Sequence, residues 1–156
     1  TPPMTDDMAA PGLLSRLFAL MEKAIPFCII QLAARLAIAG VFFKSGLTKV
    51  DGDWQVTDLA VTLFREEYKV PFLPPELAAH LGAYTELSMP IFLALGLFGR
   101  FAALPLLGMT AIIGIFVYPG SWDTHLTWAA LLLLVIARGP GWLSLDALTG
   151  FDRPRR

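Results

Sequence analysis

IPFCIIQLAARLAIAGVFFKSGL, residues 25–47, is long and apolar enough to cross a bilayer, yet it holds Arg35 and Lys44 within it. Crossing hydrocarbon takes roughly 20 apolar residues. A charged group at that depth is costly unless it faces the bundle interior or a water-filled cavity. A second stretch, LAAHLGAYTELSMPIFLALGLF at 77–98, repeats the pattern with Glu86 inside it. Phe101–Tyr118 and Leu126–Ala137 follow as further apolar stretches. The last is short, and it reaches spanning length only if Trp122 or His125 at one end and Arg138 at the other lie in protein or snorkel. The expected fold is an all-α membrane protein, a bundle of four transmembrane helices.

Composition agrees with this reading. Hydrophobic residues make up 56% of the 156, charged residues 16%, and the mean hydropathy is +0.63. That exceeds what a small soluble domain needs for its core. The chain divides into an N-terminal interfacial segment at 1–24, the membrane domain at 25–146 and a basic tail at 147–156. Four spans put Arg16, Lys23, Arg100, Arg138, Arg153, Arg155 and Arg156 on one side. The opposite side has Lys49, Arg65 and Lys69 among seven carboxylates. By the positive-inside rule both termini are expected in the cytoplasm. The start, Thr-Pro-Pro with Asp6 and Asp7, does not resemble a cleavable signal peptide, so the first span is expected to serve as the insertion signal. Cys28 is the sole cysteine, which excludes an internal disulfide, an iron–sulfur cluster and a cysteine-based zinc site.

Two other segments have helical amphipathic periodicity. Leu13, Leu14, Leu17, Phe18 and Met21 form one stripe, expected to lie along the membrane interface. Val56, Leu59, Ala60, Leu63 and Phe64 form another between the first two spans, with Thr57 or Asp58 as N-cap. Val70-Pro71-Phe72-Leu73-Pro74-Pro75 then makes a rigid return to the second span. There is no internal repeat, nucleotide-binding glycine loop or heptad array.

Helical projection sharpens the charged positions. Arg35, Ile38, Ala39, Phe42, Gly46 and Lys49 share one face of the first span, with Ala33, Ala37, Gly40 and Lys44 opposite. Both faces are expected to meet protein or water, and the small-residue stripe suggests a tight helix contact. Glu86 shares its face with Ala79, Gly82, Ala83, Pro90 and Leu93. At 1.5 Å per residue, Arg35 and Glu86 lie about 15 Å and about 18 Å from the same membrane surface. Matched depth makes them the expected buried ion pair.

Lys44 and Lys49, His80 and Tyr84, and Asp123 and His125 should gather at the other end of the bundle. Such a mouth suits an anion, a quinone headgroup or a proton relay. Both histidines read equally well as interfacial residues bonded to water or backbone. No ligand spacing recommends a metal, and Ser45, Ser88 and Ser121 have no nucleophile context.

Three motifs in order resemble one family. They are Arg35-Leu36-x3-Gly40-x-Phe42-x3-Gly46-x2-Lys49; Glu86-Leu87 followed by Leu95-Gly96-Leu97-Phe98-Gly99-Arg100-Phe101-Ala102-Ala103; and Arg138-Gly139-Pro140-Gly141-x2-Ser144-Leu145-Asp146. The pattern, over roughly residues 30–148, resembles the DoxX family of small four-helix bacterial membrane proteins. Some relatives are associated with thiosulfate oxidation coupled to quinone reduction, or with membrane redox and stress-defence complexes. The resemblance implies an accessory or quinone-facing subunit of a redox-linked complex, with no cofactor of its own and quinone as the candidate ligand. The chain departs from the bare pattern in Leu13–Lys23 and Asp51–Lys69, either of which could attach it to a larger assembly. The alternative is a non-catalytic scaffold or small-solute transporter. Expected partners are the bilayer and other membrane or peripheral subunits, not nucleic acid.

Overall fold

The computed structural model describes residues 12–153. Asp6 and Asp7 of the N-terminal segment, and Arg155 and Arg156 of the basic tail, lie outside the described residues. The elements are α1 (Leu13–Ala24), α2 (Phe27–Leu47), α3 (Asp58–Leu63), α4 (Pro75–Leu95), α5 (Gly99–Ile112), α6 (Trp122–Arg138) and α7 (Leu145–Thr149). Helix α3 continues into a π-helical turn at Phe64–Tyr68, α5 continues into another at Ile113–Val117, and a 3₁₀ turn at Pro119–Ser121 leads into α6. Among the described residues there is no strand, just one antiparallel bridge between Val50 and Val56.

Local sequence sets the helix ends. Pro75 opens α4 at a position whose N–H has no helical partner, and Glu76 adds an acidic first turn. Gly96, with φ of 65°, closes it in the left-handed conformation that glycine adopts at least cost. The Thr57 side chain accepts from the Ala60 amide at 3.1 Å and starts α3.

Antiparallel α2 and α4 form the most extensive interface; α4 also packs on α5, α5 on α6, and α6 closes on α2. Ile38, Phe42, Leu93, Leu106, Leu132 and Val135 fill the centre of this ring. Its outside is apolar too, with Leu36, Leu81, Leu104, Ile115 and Leu133 exposed. A soluble monomer rarely exposes so continuous an apolar surface, and hydrocarbon accounts for it.

Three helices are long and apolar enough to cross a membrane: Phe27–Leu47, Gly99–Val117 and Pro119–Arg138. The last extends the short Leu126–Ala137 stretch by adding Pro119–His125 to the helical run. Helix α4 matches the others at 21 residues but is not among them. It packs against α2 and α5, and Ala79, Gly82, Ala83, Glu86 and Leu93 are among its buried residues.

The small-residue stripe on α2 is a correction. Ala33, Ala37, Gly40 and Lys44 are exposed, and a Cβ on Gly40 would meet nothing within 4 Å. The close approach is on the opposite face, where a Cβ on Gly46 would lie 3.1 Å from the Glu86 backbone. Among the described residues nothing packs against the outer stripe, because α4 and α6 both meet the Arg35 face.

Candidate functional site: a cavity with a buried ion pair

Lys49 Nζ lies 2.6 Å from Glu86 Oε2, and both residues are buried. The ammonium also donates to the Ser45 hydroxyl at 2.9 Å and the Ser45 carbonyl at 3.2 Å. Removing two charges from water is costly, so such a pair persists where geometry and extra hydrogen bonds compensate it. Here all three Lys49 bonds come from residues on adjacent turns or the facing helix.

This pair is not the expected one. Arg35 does not touch Glu86; its Nη1 donates to the carbonyls of Ala94 at 3.0 Å and Leu93 at 3.3 Å, and its Nη2 donates to that of Leu143. The cause is the lean of helical side chains, which tilt toward the N-terminus of their own helix. On antiparallel helices, side chains at equal depth therefore lean apart. Arg35 leans toward the start of α2 and the end of α4, while Glu86 leans toward the start of α4, where Lys49 stands.

Arg35 belongs to a latch that ties the α4–α5 turn to the segment after α6. Asp146 accepts from the Phe98 amide at 2.8 Å and the Gly99 amide at 2.9 Å, capping α5 from a distant part of the chain. Gln31 Nε2 donates to the Gly139 carbonyl at 3.0 Å. The buried polar groups at this end of the bundle serve structure.

The other end is hollow. A cavity of about 330 Å³ reaches the Lys49–Glu86 pair, its wall mostly apolar with Phe42, Phe64, Met109 and Trp128. His125 also lines it; the residue is buried and its Nδ1 has no hydrogen-bond partner. The imidazole stands edge-on to Trp128 at 5.2 Å between centroids, and Trp128 in turn meets Phe42 at 5.6 Å. Gly114 makes room for the imidazole, since a Cβ there would lie 3.2 Å from His125 Cβ.

Both π-helical turns end at this cavity. π turns insert a residue into the helical ladder and recur at functional sites. The first lays the Phe64 ring over Gly82, where a Cβ would meet it at 3.0 Å. Past the second, Tyr118 donates to Glu67 and stands 6.0 Å from Tyr68 between ring centroids. The Glu67 bond holds the Tyr118 phenol well above the ordinary tyrosine range. Burial, then the Glu67 charge, raises Tyr68. The two tyrosines and Glu67 form a clasp across the opening.

Of the six residues expected at one mouth, the structure brings Lys49 and His125 into the cavity. Lys44, His80, Tyr84 and Asp123 are exposed. His80 Nδ1 is bonded to the Glu76 carbonyl at 2.7 Å, and the Tyr84 hydroxyl reaches the Trp54 carbonyl at 3.4 Å. A helix end carries side chains all round, so shared height did not mean a shared face. Phe64, Tyr68, Tyr118 and Trp128 were not anticipated. Tyr68 and Tyr118 depend on the π turns, which leave no periodic signature. Among the described residues, no three His, Cys, Asp or Glu side chains converge as a metal site.

The family model described as DoxX matches residues 30–119, more than half of the chain. An uncharacterized protein of Haemophilus influenzae is 29% identical over 127 residues, covering 75% of this chain and 81% of that protein. No solved structure matches. The matched region runs from within α2 to the turn before α6, so it takes in Arg35, Lys49, Glu86 and the tyrosine clasp, leaving His125, Trp128 and Asp146 beyond it. With the membrane-type helices, the latch at one end and the hollow at the other falling largely inside that region, this chain belongs to the DoxX family.

Proposed function

We propose that the protein is a quinone-facing subunit of a membrane redox complex, with no redox centre of its own, and that its cavity receives the quinone headgroup. The observation that carries this is that His125, whose buried Nδ1 has no hydrogen-bond partner, lines the same apolar cavity as the Lys49–Glu86 pair. A site with mostly apolar walls and a few convergent polar groups suits a flat, neutral ring with hydrogen-bonding oxygens, and about 330 Å³ is within the ligand-pocket range. Lys49 supplies a donor for one carbonyl oxygen by giving up its 3.2 Å bond to the Ser45 carbonyl, and His125 supplies a second polar contact. Phe42 and Trp128 supply aromatic faces, and the tyrosine clasp limits access.

The reading includes the topology. Helices α2, α4, α5 and α6 all span a bacterial inner membrane, with both termini cytoplasmic and α1 at the interface. One observation favours the scaffold alternative. Helix α1 buries no residue and exposes Leu13, Leu14, Leu17 and Phe18, a face suited to a partner subunit as well as to lipid.

The test uses the full chain in mild detergent and a short-tailed quinone, read by quenching of tryptophan fluorescence, Trp128 being the residue in the cavity wall. His125→Ala should weaken binding about tenfold, and His80→Ala should behave as wild type. Quenching that His125→Ala leaves intact, with no quinone extractable from the wild-type protein, would overturn the reading and leave the scaffold. Loss of a co-purifying protein on replacing Leu13 and Leu17 with serine would then identify that scaffold.

A further inference from the structure

The second hollow of the molecule lies at the opposite end from the ion pair, outside the helices' packed core. A groove of about 850 Å³ runs between the start of α2 and the end of α6, bordered by Phe27, Cys28, Arg100, Arg138, Trp142 and Arg153. Three arginines from separate parts of the chain surround it. Asp152 is the carboxylate on its wall, and it is already taken by Arg100, whose Nε is 2.6 Å from Asp152 Oδ2. Arg100 Nη2 also donates to Asp152 Oδ1 at 3.4 Å, and its Nη1 donates to the carbonyls of Ile136 and Ala137 at the end of α6. Arg138 and Arg153 have no carboxylate partner among the described residues. The groove therefore carries two uncompensated guanidinium groups.

Its lower border is apolar. Arg138 Cζ stands 5.7 Å from the centroid of the Phe27 ring, so the charge sits directly over the first residue of a helix able to cross a membrane. Trp142, about half exposed at 53%, faces the same groove. An exposed tryptophan and a cation above an apolar helix end mark the level where headgroups meet acyl chains. Basic pockets between helix ends at that level suit anionic lipid headgroups, and guanidinium matches phosphate oxygens in pairs.

We propose that this groove binds the phosphate headgroup of an anionic phospholipid, with Arg138 and Arg153 meeting the phosphate and Phe27 and Trp142 flanking the glycerol and upper acyl chain. A bound headgroup would join the first turn of α2 to the last turn of α6, the two helices that close the ring. The inference rests on the chain lying in a bilayer and is independent of the quinone-facing reading.

The test is lipid retention by the full chain in nanodiscs of phosphatidylcholine with increasing phosphatidylglycerol, read by native mass spectrometry and by melting temperature. Wild type should retain phosphatidylglycerol in preference to phosphatidylcholine. Arg138→Gln and Arg153→Gln should each lower that preference about fivefold, and the double variant roughly 25-fold, following the usual contribution of one basic residue near an anionic surface. Arg65→Gln, at the other end of the bundle, should leave it unchanged. Both arginines are at the surface, so melting in pure phosphatidylcholine should match wild type. Arg138→Lys keeps the charge and should keep most of the preference. Equal retention of the two lipids by wild type, or a preference that survives the double variant, would overturn the proposal. Inorganic phosphate producing the same stabilisation in pure phosphatidylcholine would show a free-anion site and would also overturn it.

Discussion

Lys49 stands two residues past the end of α2, where the sequence placed it among the residues of a mouth, and it is the counter-charge of Glu86. Breaking such a pair from one side leaves a buried charge. Glu86→Gln or Lys49→Met should each cost about 3–5 kcal/mol in thermal unfolding in detergent, while Lys49→Met with Glu86→Leu should recover most of it. Arg35→Gln with Glu86→Gln should lose the two effects additively, since the residues share no bond. Recovery in that second pair would mean that Arg35, and not Lys49, neutralises Glu86. The right partner was legible in part: Lys49 lies on the same projected face as Arg35. Depth without side-chain lean picked the wrong one of the two.

Turns and helix ends carry the constraints at the element scale, and glycines that look alike in the sequence differ sharply there. A Cβ on Gly96 would lie 2.3 Å from Arg35 Nη1 and 2.4 Å from Ser144 Cβ, in a backbone with φ of 65°. Gly96→Ala should therefore destabilise by about 3 kcal/mol or more, strain and lost Arg35 bonds adding together. Gly40→Ala, with open space around it, should be neutral or gain about 0.5–1 kcal/mol from helix propensity. Equal melting temperatures for the two variants would refute the latch as drawn. The motif Leu95-Gly96-Leu97-Phe98-Gly99-Arg100 and the motif Arg138 to Asp146 were both visible in the sequence. That they are one structure, joined through Asp146, was not, because a long-range cap has no local spacing.

For the whole molecule, hydrophobic length decided the class and basic residues suggest the orientation. In a Cys28→Ser background, Ser15→Cys and Thr149→Cys should resist an impermeant thiol reagent in intact cells while Gln55→Cys should label. Labelling of Thr149→Cys with Ser15→Cys protected would mean an odd number of crossings, and α4 would be the helix to drop. The membrane setting and the buried charge at Glu86 could be read from the chain. The cavity could not, because it is the space left between side chains of α2, α4, α5 and α6 such as Phe42, Thr85, Met109 and Trp128, and void volume is a property of packing.

The carboxylate that caps α5 is also the last part of the latch to be made. Asp146 lies 48 residues beyond Phe98. At about 5–20 residues per second, a ribosome takes roughly 2–10 s to supply it. Throughout that interval α4 and α5 are joined by a turn whose first amides are bare, and Arg35 lacks the Leu143 carbonyl. Completion of the bundle is thus timed by translation. A chain that ends before residue 146 carries every apolar helix but leaves the first amides of α5 without their cap.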